Sequence, residues 1–288
     1  MGKRFVLVLL AVFMTVATAF AQEKDAAPQS RMHPGETMAA PAADAWESTD
    51  NKVAAVDRQG NITAVAEGNC QILLTTGGVT TSCDLTVDDN VPTELMKKAI
   101  AIAENEFKTL DLKAIKKANK YTKWYAKKAG VSFGWCGAFV GWCFEEAGVP
   151  MFRVEKAEKV DENATWAISE ASVGKILKGY QKMERTTNIP RPGYMVIYSV
   201  FKKSYNNTHT GLVADVQDLG DGRYLLTTIE GNMSNRVKKY QYYYDSSEEA
   251  AQKQRNTEAL PEELQTDEKI SYKPHSNWYV KVFCQTYQ

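Results

Sequence analysis

Trp135-Cys136-Gly137-Ala138-Phe139-Val140-Gly141-Trp142-Cys143-Phe144 is the stretch on which the reading of this chain turns. Counted from Cys136 at helical spacing, Phe139, Val140, Cys143, Phe144 and Ala147 fall on one apolar stripe, which predicts a helix with that face against a core. Gly134 lets the chain bend into the helix, and Cys136 then occupies its first turn. A thiol there lies beside unpaired backbone N–H groups and the positive end of the helix dipole. Both favour the thiolate, the reactive form. Cys143 sits two turns deeper, where burial makes a thiol inert. Cys136 is therefore the candidate nucleophile. On the helix alone, a second core cysteine remains the competing reading.

A nucleophilic thiol needs a base, and the chain has 3 histidines. His33 falls in the N-terminal lead-in and His275 in a polar stretch near the end. His209 lies in Asn207-Thr208-His209-Thr210-Gly211-Leu212-Val213-Ala214, which reads as a strand entering a core with the imidazole at its mouth and Gly211 leaving room beside it. From there it can accept the thiol proton and later hand it to a leaving amine. The plainer alternative is a structural histidine in a half-buried strand. Leu225 to Asn232 is a second strand-like run with a polar end. As an antiparallel neighbour it would set Glu230 or Asn232 beside the imidazole. A carboxylate or amide on one ring nitrogen decides which nitrogen faces the sulfur. Glu230-Gly231-Asn232 also has the composition of a simple turn.

Around this centre, residues 92–288 read as one domain. Pro92 suits the first turn of a helix, and Leu95, Ala99, Ile102 and Ala103 recur at helical spacing to about Phe107. The chain is helical to about Ala147, mixed from Asp161 to Tyr180 and strand-rich from Gly193. Helices followed by strands predict an α+β layout. Asp245 to Asn277 is charged and reads as a solvated surface insertion without catalytic work.

Upstream the character changes. Lys3-Arg4, the apolar run Phe5 to Phe13 and Ala19-Phe20-Ala21 form a signal peptide over residues 1–21, so the mature protein is expected to be exported, periplasmic or secreted. The run is shorter than the roughly 20 residues of a spanning helix, so no stable membrane insertion is expected after cleavage. Residues 22–43, rich in Ala, Pro and charge, read as a linker. Residues 44–88 form a small all-β unit with turns at Gln59-Gly60-Asn61 and Thr76-Gly77-Gly78. Asp88 to Val91 is a hinge.

The 5 cysteines are an odd number, so at least one thiol stays free or pairs with another chain. Cys70 and Cys83 flank the second turn. Closure at Thr76-Gly77 would oppose them directly, and closure one residue later leaves them on one face. A cross-strand disulfide and two free thiols are both compatible with that, and Cys143 with Cys284 is a further possible pair. Lys and Arg together number 35, as do Asp and Glu, for a formal charge of +0. Loss of the leader, with Lys3 and Arg4, leaves the chain slightly acidic. No basic excess exists to bind phosphates, so nucleic acid is not an expected partner. No Cys/His cluster has zinc spacing and no Asp-x-Asp-x-Asp-Gly loop is present. No metal and no cofactor are expected.

Two resemblances become specific on these residues. Trp46 to Cys70, with Trp46-Glu47-Ser48-Thr49-Asp50, then Val53-Ala54-Ala55-Val56-Asp57, then Gly60-Asn61-Ile62-Thr63-Ala64-Val65, resembles the bacterial Ig-like domain of group 2. The likeness covers the second half of such a domain, and only His33-Pro34-Gly35-Glu36-Thr37 hints at the first, which implies a partial module used as a spacer or adhesive unit. Over Ala118 to Tyr240, five strings occur in order. They are Lys120 to Tyr125, Trp135 to Cys143 with Ala147-Gly148-Val149, Arg191-Pro192-Gly193, Thr208 to Val213, and Ile229 to Ser234. Together they resemble the CHAP family, the cysteine- and histidine-dependent amidohydrolases/peptidases.

That resemblance implies a papain-like α+β fold, a cysteine-bearing helix on an antiparallel sheet. It also implies a peptidoglycan hydrolase acting on muramoyl–Ala or on stem or cross-bridge peptide bonds. Cys136 would be the nucleophile, His209 the base, Glu230 the orienting acid and Asn232 a fourth polar group. The oxyanion would be held by the Cys136 N–H and one more donor, with Tyr121 and Asn232 as the candidates. Tyr121 and Trp135 are candidates for the cleft wall. The family commonly has Pro-Gly-Asp where this chain has Pro192-Gly193-Tyr194, which implies altered packing or a changed cleft wall. Two other uses of the chain are a secreted antibacterial effector with the same chemistry and a non-catalytic wall-binding or adhesive protein.

Overall fold

A computed structural model describes residues 29–153, 164–200, 209–272 and 278–287. The signal peptide expected over 1–21, the start of the expected linker, Asn207-Thr208 and His275 lie outside the described residues. The chain divides into two compact units, with the boundary between Asp88 and Asp89.

The first unit is built from β1 (Gln29–Met32), β2 (Thr37–Ala39), β3 (Ala45–Ser48), β4 (Ala54–Val56), β5 (Asn61–Ala64), β6 (Gly68–Thr76) and β7 (Val79–Val87). They form a four-stranded sheet, β1-β7-β6-β3, and a three-stranded one, β2-β5-β4. Alternating residues of both sheets, Met32, Ala54, Ile62, Ala64, Ile72, Leu85 and Val87 among them, meet in one core, as packed sheets require. Gly77 and Gly78 both have positive φ (59° and 77°). That is the geometry of a two-residue hairpin whose twist matches its strands, and it suits glycine best. The stretch 22–43 is therefore not a linker from Gln29 onward. β1 pairs in parallel with β7, β2 pairs with β5, and His33 is buried. Their backbone groups complete two sheet edges, a non-local reward that composition does not reveal.

The hairpin closes at Gly77-Gly78, with Ile72 opposite Cys83 and Leu85 opposite Cys70. The two cysteines thus share a face two residues out of register. All five cysteines of the chain are free thiols, Cys143 and Cys284 included.

The second unit begins with α1 (Glu94–Leu110), α2 (Lys120–Ala126) and α3 (Cys136–Ala147). Thr93 is the N-cap of α1 and Pro92 precedes it, one step outside the helix. Then follow β8 (Met151–Phe152), β9 (Ala167–Ile168), α4 (Val173–Lys182), β10 (Thr186–Thr187), β11 (Met195–Val200), β12 (His209–Asp218), β13 (Arg223–Glu230), β14 (Lys238–Asp245), α5 (Glu248–Gln252), β15 (Thr257–Ala259), β16 (Ile270–Ser271) and β17 (Trp278–Cys284). The main sheet runs β10-β17-β11-β12-β13-β14-β15, all antiparallel, with β16 alongside β14.

Helix α3 packs on β12 and β13 and against α1. Its expected stripe is buried, and so are Cys136, Gly137, Ala138 and Gly141. The helix is thus enclosed on more than one side, and each large side chain such as Phe139 or Phe144 contributes about 1.5–3 kcal/mol by burial. The stretch expected as a solvated insertion after Asp245 is also tied in. β15 and β16 extend the sheet, and the buried Asn256 donates to the Val280 carbonyl (2.7 Å) and accepts from its N–H (3.0 Å). Charge along the segment marks its outer face and hides its backbone pairing.

Candidate active site

Cys136 begins α3, directly after its N-cap Trp135. The turn leaves the Gly137 N–H free to bond the sulfur, and the Thr210 N–H reaches it from β12. His209 is the first residue of β12, as expected for an imidazole at a strand mouth. It hydrogen-bonds the Cys136 side chain. Antiparallel pairing of β12 with β13 sets Leu212 opposite Ile229 and brings Glu230 to the imidazole. The Glu230 Oε2 lies 2.9 Å from His209 Nε2. With Nε2 so engaged, Nδ1 is the nitrogen left to serve the sulfur.

Of the two orienters left open by the sequence, Glu230 is the one on the ring. Gly211 makes the space, for Glu230 rather than for the imidazole: a Cβ there would stand 2.6 Å from Glu230 Cγ. The carboxylate is fully buried. Its other oxygen accepts from the Tyr198 hydroxyl (2.7 Å) and the Thr228 hydroxyl (2.8 Å). Tyr198 also bonds the Tyr242 hydroxyl at 2.6 Å. A chain of hydroxyls from the core therefore satisfies a carboxylate that would otherwise be costly to bury.

The electrostatics of the pair favour charge separation. Burial, the largest influence on Cys136, opposes its ionisation. The hydrogen bond and charge of His209, with the N–H groups of Thr210 and Gly137, overcome it, and the thiol lies below its ordinary value of 9.0. Burial likewise opposes protonation of His209, but Cys136 and then Glu230 raise its pKa from 6.5 to about 10. Each charge supports the other, so the pair favours a thiolate beside an imidazolium. Cys143 has no such partner: burial, then the charge of Glu106, pushes its thiol well above 9.0.

The pair lies at an open cleft of 510 Å³ lined by Gly134, Ala171, Ser172, Val173, Gly174, Asn232, Met233, Ser234 and Trp278 as well. Asn232 has a left-handed backbone, φ 63°, which Asn tolerates better than most residues. Trp278 places its ring 5.1 Å from that of His209.

Tyr121 and Trp135 are not part of this wall. Both are fully buried and stacked on one another at 5.1 Å, with Phe139 edge-on to Tyr121. The Tyr121 hydroxyl donates to Glu106, so it has no proton to offer an oxyanion in the cleft. Both rings pack into the core behind α3 because their area outweighs their single polar atoms. Tyr194, the departure from Pro-Gly-Asp, changes packing and not the cleft: it is buried against Tyr287, ring centres 5.0 Å apart. Three features of the site escaped the sequence reading, namely Trp278, the start of α4 at Ser172 to Gly174, and Tyr198. Trp278 opens a strand of mostly apolar residues. Tyr198 sits inside an apolar one, opposite His209 in the register. Neither carries a local signal.

Fold and site together define a papain-like α+β domain in which a cysteine and a histidine face each other at a cleft. The family model of the CHAP domain matches residues 126–232, and that of the bacterial Ig-like domain (group 2) matches residues 35–87. The chain thus carries a bacterial Ig-like domain followed by a CHAP domain, and the latter points to hydrolysis of amide bonds in peptidoglycan. Among solved structures, the crystal structure of a bacterial Ig-like domain containing GH10 xylanase from termite gut is similar at 18% identity, TM-score 0.22, over 30% of this chain. The similar part is 23% of that chain's own length. No curated protein matches. Among the described residues no helix is long and apolar enough to cross a membrane.

Proposed function

We propose that the chain is an exported hydrolase that cuts an amide bond of peptidoglycan, either muramoyl–alanine or a stem or cross-bridge peptide bond, through an acyl-enzyme on Cys136. The thiolate attacks the amide carbonyl. The Cys136 N–H at the start of α3 and the Asn232 side chain hold the oxyanion, each such donor being worth about 2.7–4 kcal/mol. The His209 imidazolium gives its proton to the leaving amine and the C–N bond breaks. His209 then takes a proton from water as the hydroxide attacks the thioester, the C–S bond breaks, the carboxylic acid leaves and the thiolate–imidazolium pair is restored. Glu230 holds the ring and stabilises its charge without changing protonation state.

The observation that carries this reading is the contiguous line Cys136, His209, Glu230 beside an open cleft, with the carboxylate 2.9 Å from the ring. A wall-binding protein without catalysis has no use for a buried carboxylate aimed at a histidine that bonds a thiol. The test is digestion of purified sacculi by the native protein and by Cys136→Ser, with mass spectrometry of the fragments. New alanine amino termini identify a muramoyl–alanine amidase. Release of the same fragments by the variant would remove Cys136 as nucleophile.

A further inference from the structure

A second concavity, of 340 Å³, adjoins the cleft, with Trp124, Tyr125, Lys127, Arg153, Glu170 and Lys175 around it. One short span separates the two: Glu170 lines this concavity and Ser172 lines the cleft. Their Cα atoms are at most about 7 Å apart, the length of two extended residues. We propose that this concavity is a subsite for a free carboxylate on the peptide being cut. The proposal deepens the function given above and rests on it.

Three cations face one acid here, and the acid is already engaged. Glu170 is buried, accepts from the Tyr125 hydroxyl at 2.8 Å and pairs with Lys175 at 3.7 Å. Lys127 Nζ stands 5.5 Å from the centre of the Trp124 ring. Among the described residues, neither Lys127 nor Arg153 has a carboxylate within ion-pairing distance. The half-buried rings of Trp124 and Tyr125 keep water from one side, which strengthens charge interactions at the rim. A carboxylate entering beside them meets the planar fork of Arg153 and the ammonium of Lys127, both suited to charge-assisted hydrogen bonds. A carboxamide gains little there, and an ammonium is repelled. Stem peptides of peptidoglycan carry free carboxylates that some cells amidate, so the subsite would sort walls by that chemistry.

The test measures binding without turnover. Full-length protein carrying Cys136→Ala is titrated with a synthetic stem tetrapeptide bearing free carboxylates and with its fully amidated counterpart, followed by calorimetry. The acid form is expected to bind about tenfold more tightly than the amide. Adding Lys127→Gln and Arg153→Gln should erase that preference and leave the amide unchanged. Both positions are exposed, and circular dichroism checks that the fold persists. Equal affinity for acid and amide, or a preference that survives both substitutions, overturns the subsite whatever sacculus digestion gives. Failure of the Cys136 protein to digest sacculi bears on the hydrolase reading alone.

Discussion

Helix α3 holds the same functional group in opposite states, at its first residue and two turns further in. At its first residue Cys136 is nearly buried yet has a depressed thiol pKa, and seven residues on Cys143 is fully buried with a strongly raised one. Burial alone therefore does not decide reactivity. What differs is the company: Cys136 has an imidazole and the N–H groups of Thr210 and Gly137, whereas Cys143 has apolar neighbours and the charge of Glu106. A helix N-terminus without a partner would not offset the cost of enclosing an anion.

The comparison can be broken most directly by exchanging the sulfurs. Cys136→Ser should lower peptidoglycan hydrolysis by at least about a thousandfold. Cys143→Ala should leave kcat within a few-fold and cost only about 1 kcal/mol of stability through a small cavity, read by denaturant titration. A large activity loss in the second variant would erase the distinction. Next in size is Glu230→Gln, which keeps the shape but removes the charge behind the imidazole. A fall in kcat of about two to four orders of magnitude is expected, measured on the same substrate.

The third test reads the thiol itself. A depressed pKa extends the reactive thiolate to the acid side, so alkylation of Cys136 by iodoacetamide should have its midpoint below pH 9.0. In His209→Ala, burial acts against the charge with less opposition, and the midpoint should rise to or above that value. The raised pKa of His209, about 10, sets the alkaline limb. Because it lies above the unfolded value of 6.5, its contribution to stability is present below that value and lost as pH rises through 10. The smallest effect belongs to Tyr198→Phe. Glu230 would keep Thr228 and lose one hydroxyl, so about 1 kcal/mol of stability and a several-fold loss in kcat are expected. An accompanying change in the pH profile, absent if Tyr198 only fills space, marks it as positioning the carboxylate.

Much of this was legible in the order of the residues. The helix start at Cys136, its end at Ala147, the His209 strand and the α+β succession follow from local periodicity, which is a property of neighbours in sequence. Tyr121 shows the limit. Its motif suggested a cleft residue, yet Glu106, fifteen residues earlier, takes its hydroxyl. The lead-in at Gln29 to Ala39 shows another, since two short strands there exist only because β7 and β5 have open edges.

What the sequence determined by itself was therefore the set of reactive groups and the elements that bear them: a thiol at a helix start, an imidazole at a strand start, and a carboxylate at the end of the next strand. The tertiary structure decided which polar group meets the ring, which aromatics leave the cleft, and that Trp278 from the far end of the chain enters it. Those choices depend on sheet register and close packing between residues distant in sequence, where an offset of one position turns a side chain to the opposite face.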